Sequence, residues 1–130
     1  MRKTLTLQNP VMINGVEMAA LDYDTNAITA SLFAQADAQK KQAAGLKNVA
    51  ITPAVEFDYA LHLYLGFAAI VAASDNAIAF FDCERIHGAD LVEVMSIGRN
   101  FILRSEASTD DSSEEPSETT AGPSTQAQLN

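Results

Sequence analysis

TPAVEFDYALHLYLGFAAIVAASDN, Thr52 to Asn76, is the stretch on which the architecture turns. Tyr59 to Ala73 contains no Asp, Glu, Lys or Arg. These 15 residues make a helix roughly 22 Å long, short of a bilayer core near 30 Å. The reading is therefore a core helix rather than a membrane span. Thr52 stands where an N-cap belongs, Pro53 at the first helical position, and Glu56 and Asp58 in the early turns that favour acids, so the pattern predicts a helix over 53–73. Leu61, Leu65, Ala68, Ala69 and Ala72 form one stripe, yet Tyr59, Leu63, Tyr64, Phe67, Ile70 and Val71 fill the rest of the circumference. A helix apolar all round needs cover on all sides. A domain this small offers little with which to cover it, and the surplus is expected to face a subunit or a partner.

Before this helix, LTLQNPVMINGVEMAALDY (residues 5–23) alternates with period two, and Asn14-Gly15 is a strong signal for a two-residue hairpin turn. Such a turn sets Ile13 against Val16 and Val11 against Met18. Continued unbroken, it would set Leu7 against Asp22. An irregularity near Ala19-Ala20 or Asn9-Pro10 would return Leu21 and Tyr23 to the apolar face. A hairpin over about 3–23 is thus expected. A surface helix over 28–44 follows, capped by Thr29 or by Asp24-Thr25, with Leu32, Phe33, Ala36 and, at its thinning end, Gln39/Lys40 on its buried stripe and Gly45 as its stop. After the apolar helix, a short helix over 77–87 ends at Gly88. A last helix over 90–103 turns Leu91, Val94, Met95, Gly98 and Ile102 to one face. Gly98-Arg99-Asn100 reads as a break in it. The fold class is α+β: a hairpin followed by three to four helices.

The net charge is −9. From Ser105 onward there are six acids and no base, among Ser, Thr, Pro and Gly, so 105–130 reads as a disordered acidic tail behind a single globular domain, 1–104. Basic residues cluster nowhere beyond Arg2-Lys3 and Lys40-Lys41, which argues against nucleic acid. One cysteine, Cys83, excludes an internal disulfide and fits a reducing compartment. The opening MRKTLTLQNP lacks the apolar run of a signal peptide.

The search for chemistry returns little. No glycine-rich phosphate loop, GxSxG or HExxH occurs. Cys83 and His87 share a helical spacing, but a buried thiol beside a surface imidazole explains them without a metal or a nucleophile. His62, flanked by Leu61 and Leu63, reads as a core or interface histidine. Arg85 is expected to pair with Asp82, Asp90 or Glu93. No cofactor, metal or catalytic set is expected, and the reading is non-enzymatic. The apolar surplus nominates partner-binding residues on the two long helices: Tyr64, Phe67, Ile70 and Val71 on the first, and Ile97, Arg99, Phe101 and Leu103 on the second.

The order of these motifs resembles a family. L-x-x-P-V-x-I-N-G (Leu7 to Gly15), L-D-Y-D (Leu21 to Asp24), the apolar run Asp58 to Ala72 and ERIHGADLVEVMSIGRNFIL (Glu84 to Leu103) are similar to the tail assembly chaperones of long-tailed phages and prophages. The resemblance covers roughly residues 3–104. It implies a chaperone that keeps the tape measure protein from aggregating and helps the major tail tube protein polymerise around it. Such a protein acts in the bacterial cytoplasm and is absent from the mature virion. The alternative from a different class is a small oligomeric interaction or regulatory protein that uses the same apolar surface for self-association.

Overall fold

The computed structural model of the chain describes residues 2–45 and 54–107. It contains an antiparallel hairpin, β1 (Lys3–Ile13) and β2 (Val16–Tyr23), followed by α1 (Ala30–Ala43), α2 (Tyr59–Ala73), α3 (Phe80–Cys83) and α4 (Ala89–Ala107). The α+β class expected from the pattern is what the chain adopts. The acidic segment from residue 108 onward lies outside the described residues.

The hairpin turns as its dipeptide dictates. Asn14 and Gly15 take φ of 54° and 80°, the pair of left-handed conformations that a type I′ turn requires. Ile13 faces Val16 and Val11 faces Met18, after which the register shifts before resuming at Thr6 opposite Ala20 and Leu5 opposite Leu21. Leu7 to Pro10 of β1 therefore stand against Ala19 alone, beside the two sites where an irregularity was expected. The shift gathers Leu5, Leu7, Val11, Ile13 and Leu21 into the core. It also releases backbone N–H groups from the ladder. Those of Gln8 and Asn9 donate to Oδ1 and Oδ2 of Asp90, each at 2.9 Å, and Pro10 has none to donate.

In α1, Thr29 is the cap: its Oγ1 accepts from Leu32 N at 3.1 Å. Asp24 instead caps a separate 3-10 turn at Thr25–Ala27. Leu32 and Ala36 are buried with Phe33 half-buried, and Gly45 closes the helix at φ 81°.

The start of α2 departs from expectation. Thr52 and Pro53 lie outside the described residues, Val55–Phe57 forms its own 3-10 turn, and the helix begins at Tyr59. The physical reason is Asp58. Its backbone is non-helical, at φ −87° and ψ 80°, and its carboxylate accepts from Leu61 N at 3.1 Å. Asp58 is therefore the N-cap rather than a first-turn acid. Buried Asp58 also pairs with Lys40 of α1 at 2.8 Å, which ties the two helices together.

The expectation that α2 outruns its cover is corrected for most of its circumference, exposed Tyr59 and half-buried Leu63 apart. Leu61, Leu65, Phe67, Ala68, Ala69, Ile70 and Val71 are all buried. Cover comes from α1, the hairpin, α3 and, most closely, α4. A Cβ placed on Gly66 would lie 2.3 Å from the Val94 carbonyl oxygen, and one on Gly98 would lie 1.8 Å from that of His62. Two glycines thus let the backbones of α2 and α4 touch, so short side chains suffice to seal the contact. The same close approach explains why Gly98-Arg99-Asn100 does not break α4, which runs unbroken from Ala89 to Ala107.

The short helix is smaller than the expected 77–87. Asp75 and Asn76 adopt φ of 55° and 66°, and Ala79 is extended, so only one turn, Phe80–Cys83, is helical. Asp82 Oδ2 accepts from Ala79 N at 3.0 Å and caps that turn.

Candidate functional site

The eight residues nominated as a partner surface are not brought together. Tyr64, Phe67, Ile70, Val71 and Ile97 are buried, Phe101 and Leu103 are half-buried, and Arg99 is exposed. The reason is the cover just described. The large apolar side chains that do reach solvent lie elsewhere: Val55, Phe57 and Tyr59 are 44%, 66% and 55% exposed, and Met12, Val16, Phe81 and Val92 are also exposed. Val55 and Phe57 escaped sequence reasoning because they were placed inside the predicted helix. The signal that finds them is Asp58 read as the cap, which puts both residues outside the helix.

A groove opens further along α2, beginning at Leu63, one turn on from Tyr59. It encloses about 530 Å³ between the end of α1, one side of α2, the segment after α3 and the start of α4. Its floor is made by Tyr64, Phe67 and Ile86, and its walls by half-buried Leu63 and Leu91, so two of the nominated residues contribute to it from below. Gln39, Gln42 and Glu84 supply polar groups at its edge. Tyr59, Leu63 and Phe67 are spaced four apart on α2 and so form one stripe along its side. That stripe runs from exposed Tyr59 down to the groove floor.

The floor is held rigidly. Tyr64 Oη donates to Glu84 Oε2 at 2.6 Å, and the Tyr64 ring meets Phe67 edge-on with centroids 5.0 Å apart. Burial, reinforced by the Glu84 carboxylate, pushes the Tyr64 phenol above its ordinary value. The hydroxyl therefore remains a donor across the physiological range. An apolar floor with amide and carboxylate groups at its edge suits a peptide side chain or helix face better than a small polar metabolite.

The other residues singled out in the sequence have structural surroundings. Cys83 is wholly buried, and burial pushes its thiol up to about 12, so it stays protonated. His87 is exposed, with Nδ1 at 3.2 Å from the Arg85 carbonyl oxygen. Arg85 pairs with Asp82 at 3.4 Å and donates to the Met12 carbonyl at 2.7 Å. His62 is sealed in the core, its Nε2 at 2.7 Å from the Val55 carbonyl oxygen, which fixes the exposed turn to α2. Its Nδ1 has no hydrogen-bond partner among the described residues. Among the described residues no group of three His, Cys, Asp or Glu is placed to hold a metal ion, and no helix is long and apolar enough to cross a membrane.

No family model, curated protein or solved structure matches the chain.

Proposed function

We propose that this chain is an assembly chaperone of the phage tail type, binding an apolar segment of a tape measure protein in the cytoplasm of a bacterial host and leaving before the virion is complete. The observation that carries the reading is the run Val55, Phe57 and Tyr59, three large apolar side chains within five residues, each more than two-fifths exposed. A water-facing cluster of this kind is an aggregation hazard unless something is meant to cover it. The stripe from Tyr59 through Leu63 to Phe67 leads from that run into the groove, so one amphipathic client helix can lie across both. The motif order described above supplies the identity of the client. The run and the groove, whose floor keeps Tyr64 and Phe67, replace Ile70, Val71 and the four α4 residues as the proposed contact surface.

Co-expression tests this directly. With the tape measure protein from the same genome, the chain is expected to move the client from the pellet to the supernatant. Phe57→Ser/Tyr59→Ser should abolish that rescue while leaving the thermal midpoint within a few degrees, because both side chains already face water. Client solubility that is the same with and without the chain overturns the proposal. A tight, monodisperse oligomer that binds no hydrophobic dye would overturn it too, in favour of self-association through the same run.

A further inference from the structure

Acids outnumber bases 17 to 8 in this chain, and most described cations sit against a carboxylate: Arg2 with Asp22, Lys40 with Asp37 and Asp58, Lys41 with Asp37, Arg85 with Asp82. Lys3, Arg99 and Arg104 break that pattern. All three are exposed, and among the described residues none makes an ion pair or a side-chain hydrogen bond. Two of them, Lys3 and Arg104, line the same pocket, of about 110 Å³, where the start of β1 meets the last turns of α4. Tyr23, Thr25 and Asn100 bring two hydroxyls and a carboxamide to its lining. The dipole of α4 favours a base in its last turn and so accounts for Arg104. It does not account for Lys3, which lines the same small pocket.

We infer that this pocket is a carboxylate-binding site and that its occupant is the chain's own acidic segment, Asp110 to Glu118. That segment carries five carboxylates and no base. Helix α4 ends at Ala107, roughly 4.5 Å along its axis beyond Arg104. From Ala107 to Glu114 the chain reaches up to about 24 Å when extended, enough to reverse and lay Asp110, Asp111 or Glu114 against Arg104 and Lys3. The Arg104 guanidinium takes a carboxylate by two parallel hydrogen bonds, and the hydroxyls and carboxamide donate to the lone pairs left over. Each exposed pair is weak by itself. A short tether, however, holds the segment at an effective concentration in about the millimolar range, above that of any free acidic partner. This inference is independent of the client-binding reading, since the pocket shares no residue with the groove.

The test is two-dimensional ¹⁵N NMR on the full chain, compared with D110N/D111N/E114Q/E115Q/E118Q. Amide signals of Lys3, Thr25, Asn100 and Arg104 are expected to differ between the two proteins at low salt. The difference should collapse at about 0.5 M NaCl, where the screening length is ~4 Å. A synthetic peptide of residues 108–120, added to each, should saturate those amides in the neutralised protein at about tenfold lower concentration than in the parent. K3E/R104E in the neutralised background should remove that response, with circular dichroism confirming an unchanged fold. Superimposable spectra at the four amides overturn the inference. So does a peptide that titrates both proteins equally, which would show that the tail does not occupy the pocket.

Discussion

Gly98 shows how one absent methyl group sets the spacing of two helices. A Cβ there would meet the His62 carbonyl oxygen at 1.8 Å and its carbon at 2.7 Å, both of them backbone atoms that cannot swing aside. Gly98→Ala must push α4 off α2. The expected cost is about 3 kcal/mol, on the order of 15 °C in thermal midpoint for a domain of this size. Gly45 is the contrast: its φ of 81° favours glycine, but no atom lies within 4 Å of a Cβ there. Gly45→Ala should therefore cost only about 1 kcal/mol, for the left-handed backbone alone. Urea melts of the two variants check the distinction, and equal losses would show that the helices separate without resistance. In sequence Gly98 reads as a helix breaker. Nothing local distinguishes a glycine that ends a helix from one that lets a neighbour approach, because the difference lies in a carbonyl 36 positions away.

Between elements, the most instructive tie joins α4 to the hairpin. Asp90 is 1% exposed, and each of its carboxylate oxygens accepts from one N–H that the register shift in β1 frees from the ladder. A carboxylate here replaces a missing strand. Asp90→Asn keeps the shape but turns one acceptor into a donor that faces an N–H. The expected loss is about 2 kcal/mol, the cost of leaving a buried donor unsatisfied. Amide exchange at Gln8 and Asn9 should speed up ahead of the rest of β1. An Asn variant as stable as the parent would mean that water replaces the carboxylate. The irregularity itself was visible in the alternation of apolar residues, since Leu7 against Asp22 is a poor pairing. Its partner was not, and Asp90 was read as one of several surface acids available to Arg85. The true pairing needed the hairpin and α4 to be in place.

For the molecule as a whole, alkaline pH is the sensitive direction. Cys83 is buried and its thiol is pushed from 9.0 to about 12. The folded state thus holds its proton more tightly than the unfolded chain. Stability from this source is complete below pH 9.0 and is lost as pH rises toward about 12, at about 1.4 kcal/mol per pH unit at most. Tyr64 is shifted the same way by burial and Glu84, and Lys40 is raised by its hydrogen bond to Asp58, so both add to the loss at still higher pH. Urea melts between pH 8 and 11 should show a declining midpoint. Cys83→Ala should flatten the first part of that decline whatever its effect at neutral pH. A midpoint independent of pH over this range would contradict the assignment.

The hairpin, its turn and its irregularity, Thr29 as one of two candidate caps, and the existence and end of the apolar helix were all written in neighbouring residues. Dihedral preference, capping and periodicity act over a few positions, so a few positions suffice to read them. Exposure is another matter. Phe67 and Phe57 are equally apolar, yet one is 1% and the other 66% exposed, because α4 and α1 arrive over the first and no described residue covers the second. Hydrophobicity records how much a side chain gains from cover. Whether cover arrives depends on segments dozens of residues distant, and here on two glycines that let a helix come close enough to provide it.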